Sequence, residues 1–135
     1  MPTAKVKWVG DEEFLATMPS GRAVPFDGKS NAAAGPMEIL LGALGSCTAI
    51  DIVLILEKKR QKLATLEIEI SGERAKDPPQ VWTKIEMVYR LSGQLEEKAV
   101  RDSIELSQNK YCSVAAMLRK TSEITYRFEI LPQPS

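Results

Sequence analysis

The chain has 135 residues, 44% of them hydrophobic and 27% charged, with Lys+Arg and Asp+Glu both at 18 and a formal charge of zero. A chain of this size buries roughly 68–70% of its unfolded surface, so residues 1–135 are expected to form a single folded domain without staples. The composition is too polar for an integral membrane protein and lacks the basic surplus that draws a chain to nucleic acid, and the absence of His removes Ser-His-Asp triads, Cys-His dyads and His-ligated metal.

In chain order, the start MPTAKVKWVGDEEF shows no apolar stretch followed by a small-residue cleavage site, so a cytoplasmic address is expected. Lys5 to Val9 alternate as a strand, Gly10-Asp11 turns, Phe14 and Ala16 read as a second strand, and Ala23 to Phe26 make a third, ending at Asp27-Gly28. Residues 29–35, KSNAAAG, form a connector. From Pro36 to about Arg60, Leu40, Leu41, Leu44, Cys47, Ile50, Val53 and Leu54 recur at three and four residues and predict a long helix with those positions on its apolar face. Pro36 suits the first helical position, Glu38 the positive end, and Lys58, Lys59 and Arg60 the negative end. Ile52, Ile55 and Leu56 widen the apolar surface almost all round, which hints at a dimer.

Leu66, Ile68 and Ile70, then Ile85, Met87, Tyr89 and Leu91, alternate with polar residues as two strands joined by the KDPPQ loop. Residues 94–107 predict an amphipathic helix, Tyr111 to Lys120 a short helix with Cys112 near its start, and Ile124 to Ile130 a last strand. The order β-β-β-α-β-β-α-α-β argues for an α+β fold, mostly antiparallel.

Two cysteines cannot make a secreted disulfide framework or a closed zinc site, which leaves packing or redox chemistry. Mid-helix, Cys47 gains little from the helix dipole and packing is its ordinary role, whereas Cys112 near a helix start is expected to have its thiolate helped by free backbone N–H groups. Spacing alone does not pair them.

The stretch GPMEILLGALGSCTAIDIVLILEKKR, ending its first half at Cys47, resembles the central helix of the OsmC/Ohr family, and KYCSVAAML around Cys112 resembles that family's second cysteine segment. The chain is most similar to the YhfA-like branch, and the resemblance extends over nearly all of it. It implies an intertwined homodimer with the long helices in the middle and sheets wrapped around them. It also implies reduction of organic hydroperoxides in oxidative or osmotic stress defence. Cys47 would attack the peroxide and form a sulfenic acid, Cys112 would close a disulfide with it, and a dithiol such as a lipoyl group would reset the pair, with no metal or other cofactor. The family adds an Arg and a Glu beside the thiol. Its Glu follows the helix-opening Pro directly, where this chain has Met37, with Glu38 one place and about 100° further round. The family Arg would fall near Pro19, and Arg22 is the nearest arginine. Glu38 and Arg22 are thus the candidates for that pair, against the alternatives of a helix-end charge and a solvated loop charge. The rival to an enzyme is a non-enzymatic dimer of the same fold that binds a small apolar or thiol metabolite.

Overall fold

A computed structural model describes residues 1–132, which divide into two compact units at the Leu40–Leu41 boundary. The N-terminal unit is a meander of β1 (Lys5–Gly10), β2 (Glu13–Thr17) and β3 (Ala23–Asp27), paired antiparallel in the order β1-β2-β3. Gly10 and Asp11 take positive φ at the first turn, where a Gly followed by an Asp tolerates the left-handed backbone. The Asp27 carboxylate accepts the backbone N–H groups of Lys29, Asn31 and Ala32 at 2.9, 3.2 and 2.9 Å, and these bonds, that of Ala32 first, hold its pKa below the usual carboxylate value. This Asx-type anchoring gives the connector after β3 a fixed path. Val6, Trp8 and Val9 are exposed on the meander, so it has little core of its own.

Helix α1 (Pro36–Lys58) starts with Pro at its first position, as its missing N–H requires. It ends where Arg60 turns left-handed and the Gln61 N–H returns to the Leu56 carbonyl at 2.9 Å. By length and apolarity this helix could cross a membrane. Instead, Leu44, Thr48, Ile52 and Leu56, spaced by four, are fully buried within the protein's own core. Of the face expected from sequence, Leu44 is buried and Leu41 and Cys47 pack against the core, but Leu40, Ile50, Val53 and Leu54 are exposed. The helix is apolar around its whole circumference, so periodicity could not select which side packs.

The second unit holds a sheet in the order β4-β5-β6, from β4 (Lys62–Arg74), β5 (Trp82–Gln94) and β6 (Glu123–Ile130). Strands β4 and β5 pair antiparallel and β5 and β6 parallel. The parallel pair needs a long crossover, supplied by α2 (Glu97–Leu106), a π turn (Ser107–Tyr111) and α3 (Ser113–Leu118). On central strand β5, Ile85, Met87, Tyr89 and Leu91 all point into one core with Leu44, Ile52 and Leu56 of α1, Val100 and Ile104 of α2, and Cys112. The alternating partners Glu86 and Arg90 face outward, which is the period of two read from the sequence. The fold is α+β, as expected; the π turn is the element that sequence periodicity did not separate from its neighbours.

Candidate active site

The core between α1, β5 and the crossover contains both thiols. Cys47 is half-buried in the middle of α1, flanked by the buried stripe, and Cys112 is 2% exposed at the end of the π turn. Both are free thiols, and Cys47 is near enough to Cys112 to help raise its pKa. The fold therefore brings together two residues that are remote in sequence.

Cys112 caps the short helix α3. Its backbone N–H donates to the Ser107 carbonyl at 2.8 Å, and its Sγ accepts the Ala115 N–H at 3.4 Å. The sequence expectation was a thiolate favoured by free N–H groups, and the structure corrects it. Burial pushes the Cys112 thiol up to about 11, the neighbouring Cys47 thiol and the Asp51 charge push the same way, and the single Ala115 N–H only partly offsets them. Cys112 is thus a neutral thiol at neutral pH. Its alkylation by iodoacetamide, followed by peptide mass spectrometry, should keep rising about tenfold per pH unit toward pH 11. A plateau near pH 9 would contradict this.

Beside the thiols runs a buried chain of polar side chains. Ser107 donates to Asp51 Oδ2 at 2.8 Å and shares a 2.7 Å bond with Thr48 Oγ1, which in turn lies 2.8 Å from the Tyr89 hydroxyl. Gln108 Nε2 donates to the same Tyr89 oxygen at 2.6 Å and to Met87 Sδ at 3.4 Å. Arg119 closes the end, donating to the Gln108 carbonyl at 2.8 Å and to its Oε1 at 3.2 Å. The proton order follows from the donor inventory. Each hydroxyl has one proton, Ser107 spends its own on the Asp51 carboxylate, so Thr48 donates to Ser107 and Tyr89 to Thr48. Burial pushes the Tyr89 phenol up, which keeps it a donor. Among the described residues, no buried side-chain polar atom lacks a partner.

Asp51 therefore does two things here: it accepts the Ser107 hydroxyl, and its charge helps raise the Cys112 pKa. Thr48, Tyr89, Ser107, Gln108 and Arg119 were not singled out as site residues. The signal for Thr48 was its place between Leu44 and Ile52 at four-residue steps, a polar residue on a buried stripe.

Glu38 Oε1 accepts the Gly35 N–H at 3.0 Å, reaching back from the first turn of α1 as in a capping box. Arg22 is exposed in the turn before β3, where its carbonyl takes the Met18 N–H at 2.7 Å. Among the described residues no ion pair joins Arg22 to Glu38, and no group of three or more His, Cys, Asp or Glu is arranged to hold a metal ion.

A central helix carrying one thiol, a second thiol delivered to it by a crossover, and a six-stranded complement of two sheets define the class. The chain belongs to the OsmC-like protein family, whose model matches residues 27–127. It is 41% identical to Protein YhfA of Escherichia coli (strain K12) over 130 residues, 95% of this chain and 97% of that one. Among solved structures, it is similar to a hypothetical protein from Aquifex aeolicus VF5, with TM-score 0.90 and 30% identity over 99% of this chain and 98% of that chain. It shares its fold with an organic hydroperoxide resistance protein from Elizabethkingia anophelis, with TM-score 0.72 and 12% identity over 97% of this chain and 96% of that chain.

Proposed function

We propose that the protein is a thiol-dependent peroxidase that reduces organic hydroperoxides, with Cys47 as the attacking thiol and Cys112 as the resolving one. The observation that carries this is the placement of a half-buried thiol on the central helix near a buried thiol held on the crossover. The less buried partner, Cys47, is the one a peroxide can reach. The fold shared with proteins named for organic hydroperoxide resistance supports the substrate class.

In the reaction, the Cys47 thiolate attacks the distal peroxide oxygen, the O–O bond breaks, and the alkoxide leaves as an alcohol after gaining a proton. Cys47 becomes a sulfenic acid. Cys112 then displaces its oxygen as water and the disulfide forms. A dithiol reductant, a lipoyl group being one, returns both thiols, and the cycle suits the reducing cytoplasm. The test is the mass and free-thiol count of reduced protein after one equivalent of cumene hydroperoxide: loss of two thiols and two hydrogens is expected. Unchanged thiols would sink the assignment.

That outcome would select the second reading, a non-enzymatic protein holding a small apolar or thiol metabolite. It is favoured by a groove of about 300 Å3 in which Gly42, Gly45 and Ala49 of α1 face Leu66, Ile68 and Ile70 of β4. Either reading employs a homodimer. Ile50, Val53 and Leu54 of α1 are 60, 45 and 53% exposed, an apolar strip that a second copy would cover. Sedimentation equilibrium should give the mass of two chains, and a single-chain mass at micromolar concentration would refute the dimer.

A further inference from the structure

No backbone ladder ties the π turn to the middle of α1, yet Cys47 lies on the helix and Cys112 directly follows the turn. What joins them is polar. Ser107, the first residue of the π turn, bonds to Thr48, the residue after Cys47, and to Asp51, one turn further along α1. The Ser107 carbonyl also receives the Cys112 N–H at 2.8 Å. A continuous path therefore leads from the residue beside one thiol to the amide of the other. Gln108, next in the turn, is fastened to Tyr89 and Met87 on β5 and to Arg119 beyond α3. Thr48, Ser107 and Gln108 are at most 1% exposed, so water does not compete for these bonds, and each link that breaks strands a buried hydroxyl or amide. The turn itself is a π-helical insertion, an arrangement that needs such outside support and recurs at functional sites.

We infer that Thr48 and Ser107 are positioning residues that clamp the π turn to α1, holding Cys112 near Cys47 before any oxidant arrives. The inference deepens the reading of the two cysteines as a redox pair. In the closing step the S–S bond forms while the Cys47 S–O and Cys112 S–H bonds break, and the sulfenic hydroxyl and the Cys112 proton depart together as water. The two electrons have already passed to the organic hydroperoxide, so this step needs no further oxidant. Its rate and its equilibrium depend on how strongly the fold concentrates one sulfur near the other.

The experiment is the thiol–disulfide equilibrium of the full chain with reduced and oxidised glutathione, read by mass after acid quenching and alkylation. It compares wild type with Thr48→Val, Thr48→Ser and Ser107→Ala. The effective concentration of the thiol pair should fall about tenfold in Thr48→Val and Ser107→Ala, as expected for losing one or two net hydrogen bonds, and stay within about twofold in Thr48→Ser. Circular dichroism establishes that each variant is folded, and if Thr48→Val is not, the smaller change Ser107→Ala decides. Equal constants for wild type and the folded clamp variants overturn the inference, as does a wild type that never closes the disulfide. The peroxidase reading fails separately: a wild type that equilibrates with glutathione in the expected order yet ignores cumene hydroperoxide sinks that reading and keeps the clamp.

Discussion

In Cys47→Ser, consumption of cumene hydroperoxide is expected to fall by at least about a thousandfold, while Cys112→Ser should complete a first turnover and accumulate a sulfenic acid. The asymmetry follows from chemistry and exposure. A serine hydroxyl at position 47 has no base to activate it, because the chain contains no His, and an oxygen nucleophile cannot be oxidised to a sulfenic acid. Cys112 cannot substitute for it. Its thiol is 2% exposed and pushed up to about 11, so at neutral pH it is neither accessible nor ionised. Removing Cys112 leaves the first step alone and takes away only the partner that closes the disulfide. Peroxide consumption can be followed colorimetrically, and dimedone adduct formation by mass. Wild-type consumption by Cys47→Ser would overturn the assignment of the attacking thiol.

Gly93→Ala should cost about 3 kcal/mol or more of unfolding free energy, read as a lowered midpoint in urea at unchanged slope. Gly93 sits near the end of β5 opposite Leu63, where the register slips between Leu63 and Thr65 and Ala64 bulges out of the ladder. Its φ is +135°, a region nearly closed to side chains. An added Cβ would also run into the Lys62 carbonyl oxygen and come within 2.7 Å of the Ala64 nitrogen, both backbone atoms that cannot swing aside. Gly21→Ala is the control. It has a positive φ of 85° but nothing within 4 Å of the new Cβ, so it should show only the conformational part, about 1 kcal/mol. Equal midpoints for the two variants would mean that the bulge yields.

Much of this fold was legible because its patterns are redundant. Strand β5 alternates Ile85, Met87, Tyr89 and Leu91 with polar residues, and the structure buries that very set. α1 was legible as a helix from Pro36 and its apolar run, but its buried side was not, since Val53 and Ile52 differ in burial and hardly in hydrophobicity. The pairing of the two cysteines came from resemblance to a family; nothing local to either thiol encodes it. The polar chain was hidden for a different reason. Thr48, Ser107 and Gln108 are ordinary surface residue types, and only three-dimensional packing shows that they share one interior. The shifted state of Cys112 was misjudged for the same reason, because desolvation depends on neighbours that sequence position does not reveal.

The wider loop of the π turn also makes the reach of Cys112 a matter of chain length. In a regular α-helix each residue advances the side chains by about 100°, so one residue more or less between Ser107 and Cys112 would swing the sulfur to another quadrant. A single-codon deletion there would leave composition, charge and apolar pattern almost untouched and still separate the thiols. In the proposed cycle, closing the disulfide therefore depends on a length of five residues, and the loss of one of them should switch it off.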